Sequence, residues 1–228
     1  MSYENARNGI GKVFTSQILA IIAAVCTLIA GIMAALLIGA VSTESVGGAA
    51  ASAESAGGVA ASGIGGVLFT VGSYVLILIA FILELVGLNK AGKDSEQLKK
   101  AFTITIVSIV VELVIAIITS LTGGVAWVKQ IGDIVATILA LLVTYNVLFG
   151  CAGLKPELSD KANSVWKMYL IVIILSIILA VLGAILGAVG ITATSAVITM
   201  VLLVIDFVLD IVSYFMYLSF LKKAKDTL

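Results

Sequence analysis

The chain has 228 residues, of which 61% are hydrophobic and 11% charged, with 13 basic and 13 acidic side chains, no histidine and two cysteines. A mean hydropathy of +1.25 leaves too little polar surface to coat a water-soluble globule, so the composition is that of an integral membrane protein. Basic residues come in small groups mixed with acids, which excludes nucleic acid as a partner, and the absence of histidine excludes Cys/His catalysis and imidazole metal sites.

A helix needs roughly 20 apolar residues to cross the hydrocarbon. Six stretches meet that length, near 17–40, 67–88, 101–121, 131–152, 168–190 and 197–221. The first follows Arg7 and Lys12 and is longer than the roughly 7 to 15 residues of a secretory signal core, so it is expected to stay as an uncleaved anchor. It carries a stripe of small residues, Gln17, Ala20, Ala24, Thr27 and Gly31, and small residues let helix backbones approach closely in lipid.

A tandem duplication follows: Ser-Thr-Glu-Ser-Val-Gly-Gly-Ala-Ala-Ala from Ser42, then Ser-Ala-Glu-Ser-Ala-Gly-Gly-Val-Ala-Ala from Ser52. Its Gly pairs and lack of large side chains predict a flexible outer loop over 41–66. The second stretch aligns Ser73, Ala80, Glu84 and Gly87, and the third Thr105, Ser108, Glu112 and Thr119. The fourth aligns Asp133, Thr137 and Thr144, with Tyr145 and Asn146 beside that line. Trp127 falls at an outer boundary, before the fourth stretch, and Trp166 at an inner one, before the fifth, where indoles anchor in the interface. The fifth has a second small stripe, Ser176, Ala180, Gly183, Gly187 and Gly190, and meets the sixth through an uncharged turn that predicts a tight hairpin. In the sixth, Thr199, Asp206, Asp210, Ser213 and Tyr217 recur at steps of seven, four, three and four, one stripe of a helix. Cys26 falls inside the first stretch and Cys151 at the inner end of the fourth, which argues against a disulfide.

Twelve of the 13 Lys and Arg residues occupy alternate gaps, leaving only Lys129 in a gap of the other set. Basic flanks stay cytoplasmic during insertion. The pattern predicts an all-α polytopic protein with six transmembrane helices, both termini inside, forming one transmembrane domain over 1–228. Short matches at constant offset, such as Ala91-Gly92 with Ala152-Gly153 and Lys100-Ala101 with Lys161-Ala162, hint at a weak three-fold repeat of helix pairs, an arrangement used by transporter folds.

The chemistry resides in the intramembrane acids. Glu112 and Asp210 fall near the midplane, Asp206 one turn from Asp210, and Glu84 in the inner third of the second stretch, with no Lys, Arg or His at matching depth. An ionised carboxylate at the bilayer centre is costly, so these groups are protonated, hydrated or bound to a cation. They are the candidate cation- or proton-binding residues; Thr105, Ser108, Asn146, Ser213 and Tyr217 are the candidate polar lining. Oxygen-only ligands suit H⁺ or a hard cation, with no metal identity implied and no cofactor expected. No nucleophile with its base, HExxH site or phosphate loop is present, so no enzymatic activity is expected. These features point to a small-solute or ion transporter of the cell membrane, or the membrane-embedded binding subunit of one, acting as a homo-oligomer or with a partner subunit. The alternative is a non-enzymatic structural or regulatory membrane protein that recruits a partner through its cytoplasmic loops.

Overall fold

Without water in the hydrocarbon, each backbone N–H and C=O must be satisfied within its own segment, which leaves helices as the way for separate apolar stretches to cross. The structure, a computed structural model, describes residues 3–44, 53–121, 126–189 and 193–228, with side chains described over 3–33, 67–121, 131–132, 134–178, 204–205 and 207–228. Its elements are α1 (Glu4–Glu44), α2 (Ala53–Ala91), α3 (Glu96–Leu121), α4 (Ala126–Leu154), a single 3₁₀ turn (Pro156–Leu158), α5 (Ser159–Val189) and α6 (Ala193–Thr227). No strand occurs among the described residues. Five of the described helical segments are long and apolar enough to cross a membrane: Glu4–Met33, Val67–Ala91, Glu96–Leu121, Ile134–Leu154 and Pro156–Ile178. The sixth predicted stretch lies within α6, whose first three turns have side chains outside the described set.

One difference from the sequence reading falls between the first two spans. The loop predicted over 41–66 shrinks, because α1 continues to Glu44 and α2 begins at Ala53. Residues 45–52, which hold part of the duplicated sequence, lie outside the described residues.

Contacts group the chain into two compact units, Met1–Gly11 with Gly87–Leu228, and Lys12–Val86. In the larger unit α3 packs chiefly on α4 and α5 on α6, with α4 and α5 joining the two pairs. Its fully buried side chains gather at the end where the basic turns meet: Leu88, Leu98, Leu148, Leu158, Phe220 and Leu221. Away from that end large apolar side chains lie open, Leu113 being 62% and Phe207 64% exposed. Lipid tails are as apolar as leucine, so nothing drives those side chains together, whereas near the headgroups and water the hydrophobic effect returns.

Glycine permits the close approaches in this unit. A Cβ on Gly150 would meet Leu98 Cγ at 2.8 Å, and one on Gly132 would meet Ile115 Cγ2 at 2.7 Å, so α4 closes on α3 at both points. Tyr145 braces α4 against α5, with ring centroids 5.1 Å from Trp166 in an edge-on arrangement and 4.6 Å from Phe149. The expected interfacial Trp166 is therefore also a packing group. Lys155 is extended, at φ −135°, as the residue before Pro156 must be, and the turn that follows inserts Leu158 into the core.

The same end is tied together by Asp94, in the turn between α2 and α3. Its carboxylate accepts the Ala6 backbone N–H at 2.8 Å and the Asn5 amide at 3.0 Å, so a residue 88 positions away caps the start of α1. Loss of such a cap costs about 0.5–2 kcal/mol. Asp94→Ala is accordingly expected to lower the thermal unfolding midpoint of the purified protein and to expose its first residues to protease. An unchanged midpoint and digestion pattern would show that this contact carries no stability.

In the smaller unit the buried positions of α1 are Val13, Ser16, Ala23 and Ala30, and those of α2 are Ser73 and Ala80. Their spacings of three and seven form one stripe on each helix. Ser16 and Ser73 satisfy their hydroxyls locally, donating to Val13 O at 2.7 Å and Thr70 O at 2.8 Å.

Candidate functional site

The carboxylates predicted to work together are distributed over three places. Glu84 is half-buried in α2 and accepts a long hydrogen bond from the Gln17 amide of α1 at 3.5 Å, both within the smaller unit. Two residues read from separate stripes thus meet. Glu112 lies on an exposed face of α3. Asp210 opens onto a groove between α4, α5 and α6 in the larger unit. Asp206 belongs to α6 but its side chain is outside the described residues, as are those of Asp133, Trp127 and Lys129 in α4. Among the described residues no three of His, Cys, Asp and Glu cluster in a way that could hold a metal ion.

The groove beside Asp210 has a volume of about 610 Å³, within the roughly 300–1,000 Å³ of small-molecule sites. α4 contributes Ile134, Thr137, Ile138, Ala140, Leu141 and Thr144, and α5 contributes Tyr169, Val172, Ile173, Ser176 and Ile177. The surface is apolar except for Thr137, Thr144, Tyr169, Ser176 and the Asp210 carboxylate. Asp210 and Tyr169 both line this groove. Tyr169 in turn stands edge-on against Tyr217, with centroids 6.1 Å apart and planes at 89°.

Most of the expected polar lining turns to its own helix instead. Thr105 donates to Ala101 O at 2.9 Å, Ser108 to Ile104 O at 3.0 Å, Asn146 to Leu142 O at 2.7 Å and Ser213 to Leu209 O at 2.8 Å. A carbonyl one turn back is the nearest acceptor for a short polar side chain in a helix, and in lipid it competes with no water. Tyr217 alone of that set touches the groove wall, through Tyr169.

Tyr169 itself was not among the expected site residues. It sits seven residues before Ser176, on the same face of α5, so extending that stripe by two turns finds it. Reading the stripe only for small residues conceals it. Both cysteines are free thiols, Cys151 fully buried and Cys26 partly so.

An all-helical chain with five helical segments able to cross a bilayer has the make-up of a membrane-embedded protein. Comparison of the chain with protein families, with curated proteins and with solved structures gives no match.

Proposed function

We propose that this chain is a non-enzymatic transport protein of the cell membrane, or the membrane-embedded binding subunit of a transporter, with its solute site in the groove lined by Asp210. The observation that carries the reading is a single carboxylate opening onto a ligand-sized, otherwise apolar groove beside a tyrosine phenol. A bare divalent ion takes six or more oxygens or keeps its water, and this lining has one carboxylate and a few hydroxyls among the described residues. The lining fits an amphipathic cation better: an apolar body against Ile138, Val172 and Ile173, with one positive charge facing Asp210. Proton exchange at Asp210 would drive its release, because protonation removes the counter-charge.

The same proposal includes six spans with both termini in the cytoplasm. A cysteine placed at Lys161 should then be shielded from an impermeant thiol reagent in intact cells and one at Lys129 should react; labelling of the Lys161 site would reject this topology. Function is tested by reconstituting the full chain in vesicles and following uptake of a lipophilic amine against a pH gradient. Uptake no faster than in protein-free vesicles would reject the transport reading in favour of a structural or regulatory membrane protein that recruits a partner through its cytoplasmic loops.

A further inference from the structure

A second groove, separate from the one beside Asp210, runs along α5 and α6 at the basic end of the larger unit. Its volume is about 340 Å³, and Lys161, Val165, Val212, Phe215, Met216 and Ser219 line it. The Lys161 ammonium is held at its mouth by two hydrogen bonds, donated to the Ser219 carbonyl at 2.9 Å and the Ser219 hydroxyl at 2.8 Å. An ammonium carries three N–H donors. One is left for a ligand.

Lys223 stands one helical turn beyond Ser219, the residue to which Lys161 donates, and so adds a second positive charge at this end of α6. An anion seated at this mouth would meet both positive charges. Away from the mouth the lining is wholly apolar: Val165 lies one turn along α5 from Lys161, and Phe215 and Val212 lie one and two turns back along α6 from Ser219. Phe215 is 61% and Val212 40% exposed, and no acid lines the groove.

We propose that this groove binds one anionic phospholipid, with the phosphate between Lys161 and Lys223 and an acyl chain laid along Val165, Val212, Phe215 and Met216. Charge at the mouth and apolar surface within match an amphiphile with an anionic head. Basic pockets between transmembrane helices near the headgroup plane recognise lipids in this way. A free phosphate shares the headgroup chemistry but makes no use of the apolar walls. The bilayer therefore supplies the ligand.

The test uses the full chain purified in a neutral detergent, titrated with phosphatidylglycerol, with phosphatidylcholine or with inorganic phosphate. Retained lipid is counted by native mass spectrometry and the thermal unfolding midpoint is recorded. Phosphatidylglycerol should be retained at one per chain and raise the midpoint, whereas phosphatidylcholine and inorganic phosphate should do neither. Lys223→Gln leaves the Ser219 bonds intact and should weaken retention about fivefold, the scale of one lysine near an anionic headgroup. Lys161→Gln should do the same and Lys161→Arg should restore it, while Lys100→Gln, on the exposed start of α3, should change nothing. Phe215→Ala should also weaken lipid retention. Equal retention by the wild type and Lys223→Gln would overturn the assignment, as would protection by inorganic phosphate equal to that by lipid.

Discussion

Asp210→Asn is expected to abolish saturable binding of a lipophilic amine while leaving the protein folded. The amide matches the carboxylate in size and still accepts hydrogen bonds, so the packing of α6 against α5 has no reason to change. What disappears is the only charge among the described groove residues able to face a cation. Asp210 is exposed in this structure, and a ligand whose apolar body covers it would desolvate the charge pair on binding; removing one partner of such a pair costs about 2–5 kcal/mol, which at about 1.4 kcal/mol per tenfold is roughly a 30- to 4,000-fold loss of affinity. Asp210→Glu keeps the charge and should retain partial binding. Because only the ionised carboxylate attracts a cation, wild-type affinity should fall as the medium is acidified, and the residual affinity of Asp210→Asn should not. Glu112→Gln provides the contrast, since Glu112 is no part of the groove lining. Calorimetric or fluorescence titration reads the affinities, and size-exclusion profiles read folding. Binding by folded Asp210→Asn at wild-type affinity, with unchanged pH dependence, would remove Asp210 from the site.

The largest expected loss of stability follows from adding one methyl group at Gly9. A Cβ there would run into the Gly87 carbonyl oxygen and would come within 2.6 Å of the Ala91 amide nitrogen and 2.7 Å of the Ala91 Cβ. None of these atoms belongs to a side chain that can rotate away, so the start of α1 must move off the end of α2. That movement also strains the Asp94 cap on Asn5 and Ala6. Overpacking of this kind costs about 1–3 kcal/mol. Gly9→Ala should therefore lower the unfolding midpoint clearly, and Gly9→Leu should leave little folded protein. Gly31 and Gly72 are also helical, but a Cβ on either meets no described atom within 4 Å. Alanine at those positions should stabilise by about 0.5–1 kcal/mol, the helix-propensity difference. Thermal unfolding of the three alanine variants in one detergent makes the comparison, and a Gly9→Ala midpoint equal to those of Gly31→Ala and Gly72→Ala would show that α1 and α2 do not approach this closely.

Gly31 also shows where a sequence stripe and a packed surface part company. It closes the run of small residues on α1 read as a site of close helix approach, yet no described atom lies within 4 Å of a Cβ built there. The tight approaches among the described glycines occur at Gly9, Gly92, Gly132 and Gly150, positions that belong to no small-residue stripe. A small residue permits a neighbour without attracting one, so the sequence records where helices could close and not where they do. Glu112 and Asp210 make the same point for the acids. Both are exposed and occupy polar stripes at comparable depth, but Asp210 lines a groove and Glu112 does not.

The predicted spans follow single helices as far as the described residues run, the fifth reaching the end of α5 at Val189, because spanning is a local requirement: apolar length and internal hydrogen bonding suffice, and both are written residue by residue. The stripes that hold Gln17, Glu84, Thr137, Thr144, Ser176 and Asp210 were likewise within reach of helical spacing, each on its own helix. The rotation of each helix about its axis was not. These helices are apolar nearly all round, so hydrophobic periodicity points no face inward, and lipid solvates an outward leucine as well as a neighbouring helix does. Rotation is decided instead by contacts between residues far apart in the chain: Leu98 against Gly150, Asp94 over Ala6 and Lys161 on Ser219. By itself the sequence determined that the chain is built of helices long and apolar enough to cross a membrane, and where its acids lie along each helix. Only the tertiary structure decided that Asp210 opens onto a ligand-sized groove while Glu84 joins Gln17 and Glu112 stays apart, because helix rotation depends on contacts that no single helix contains.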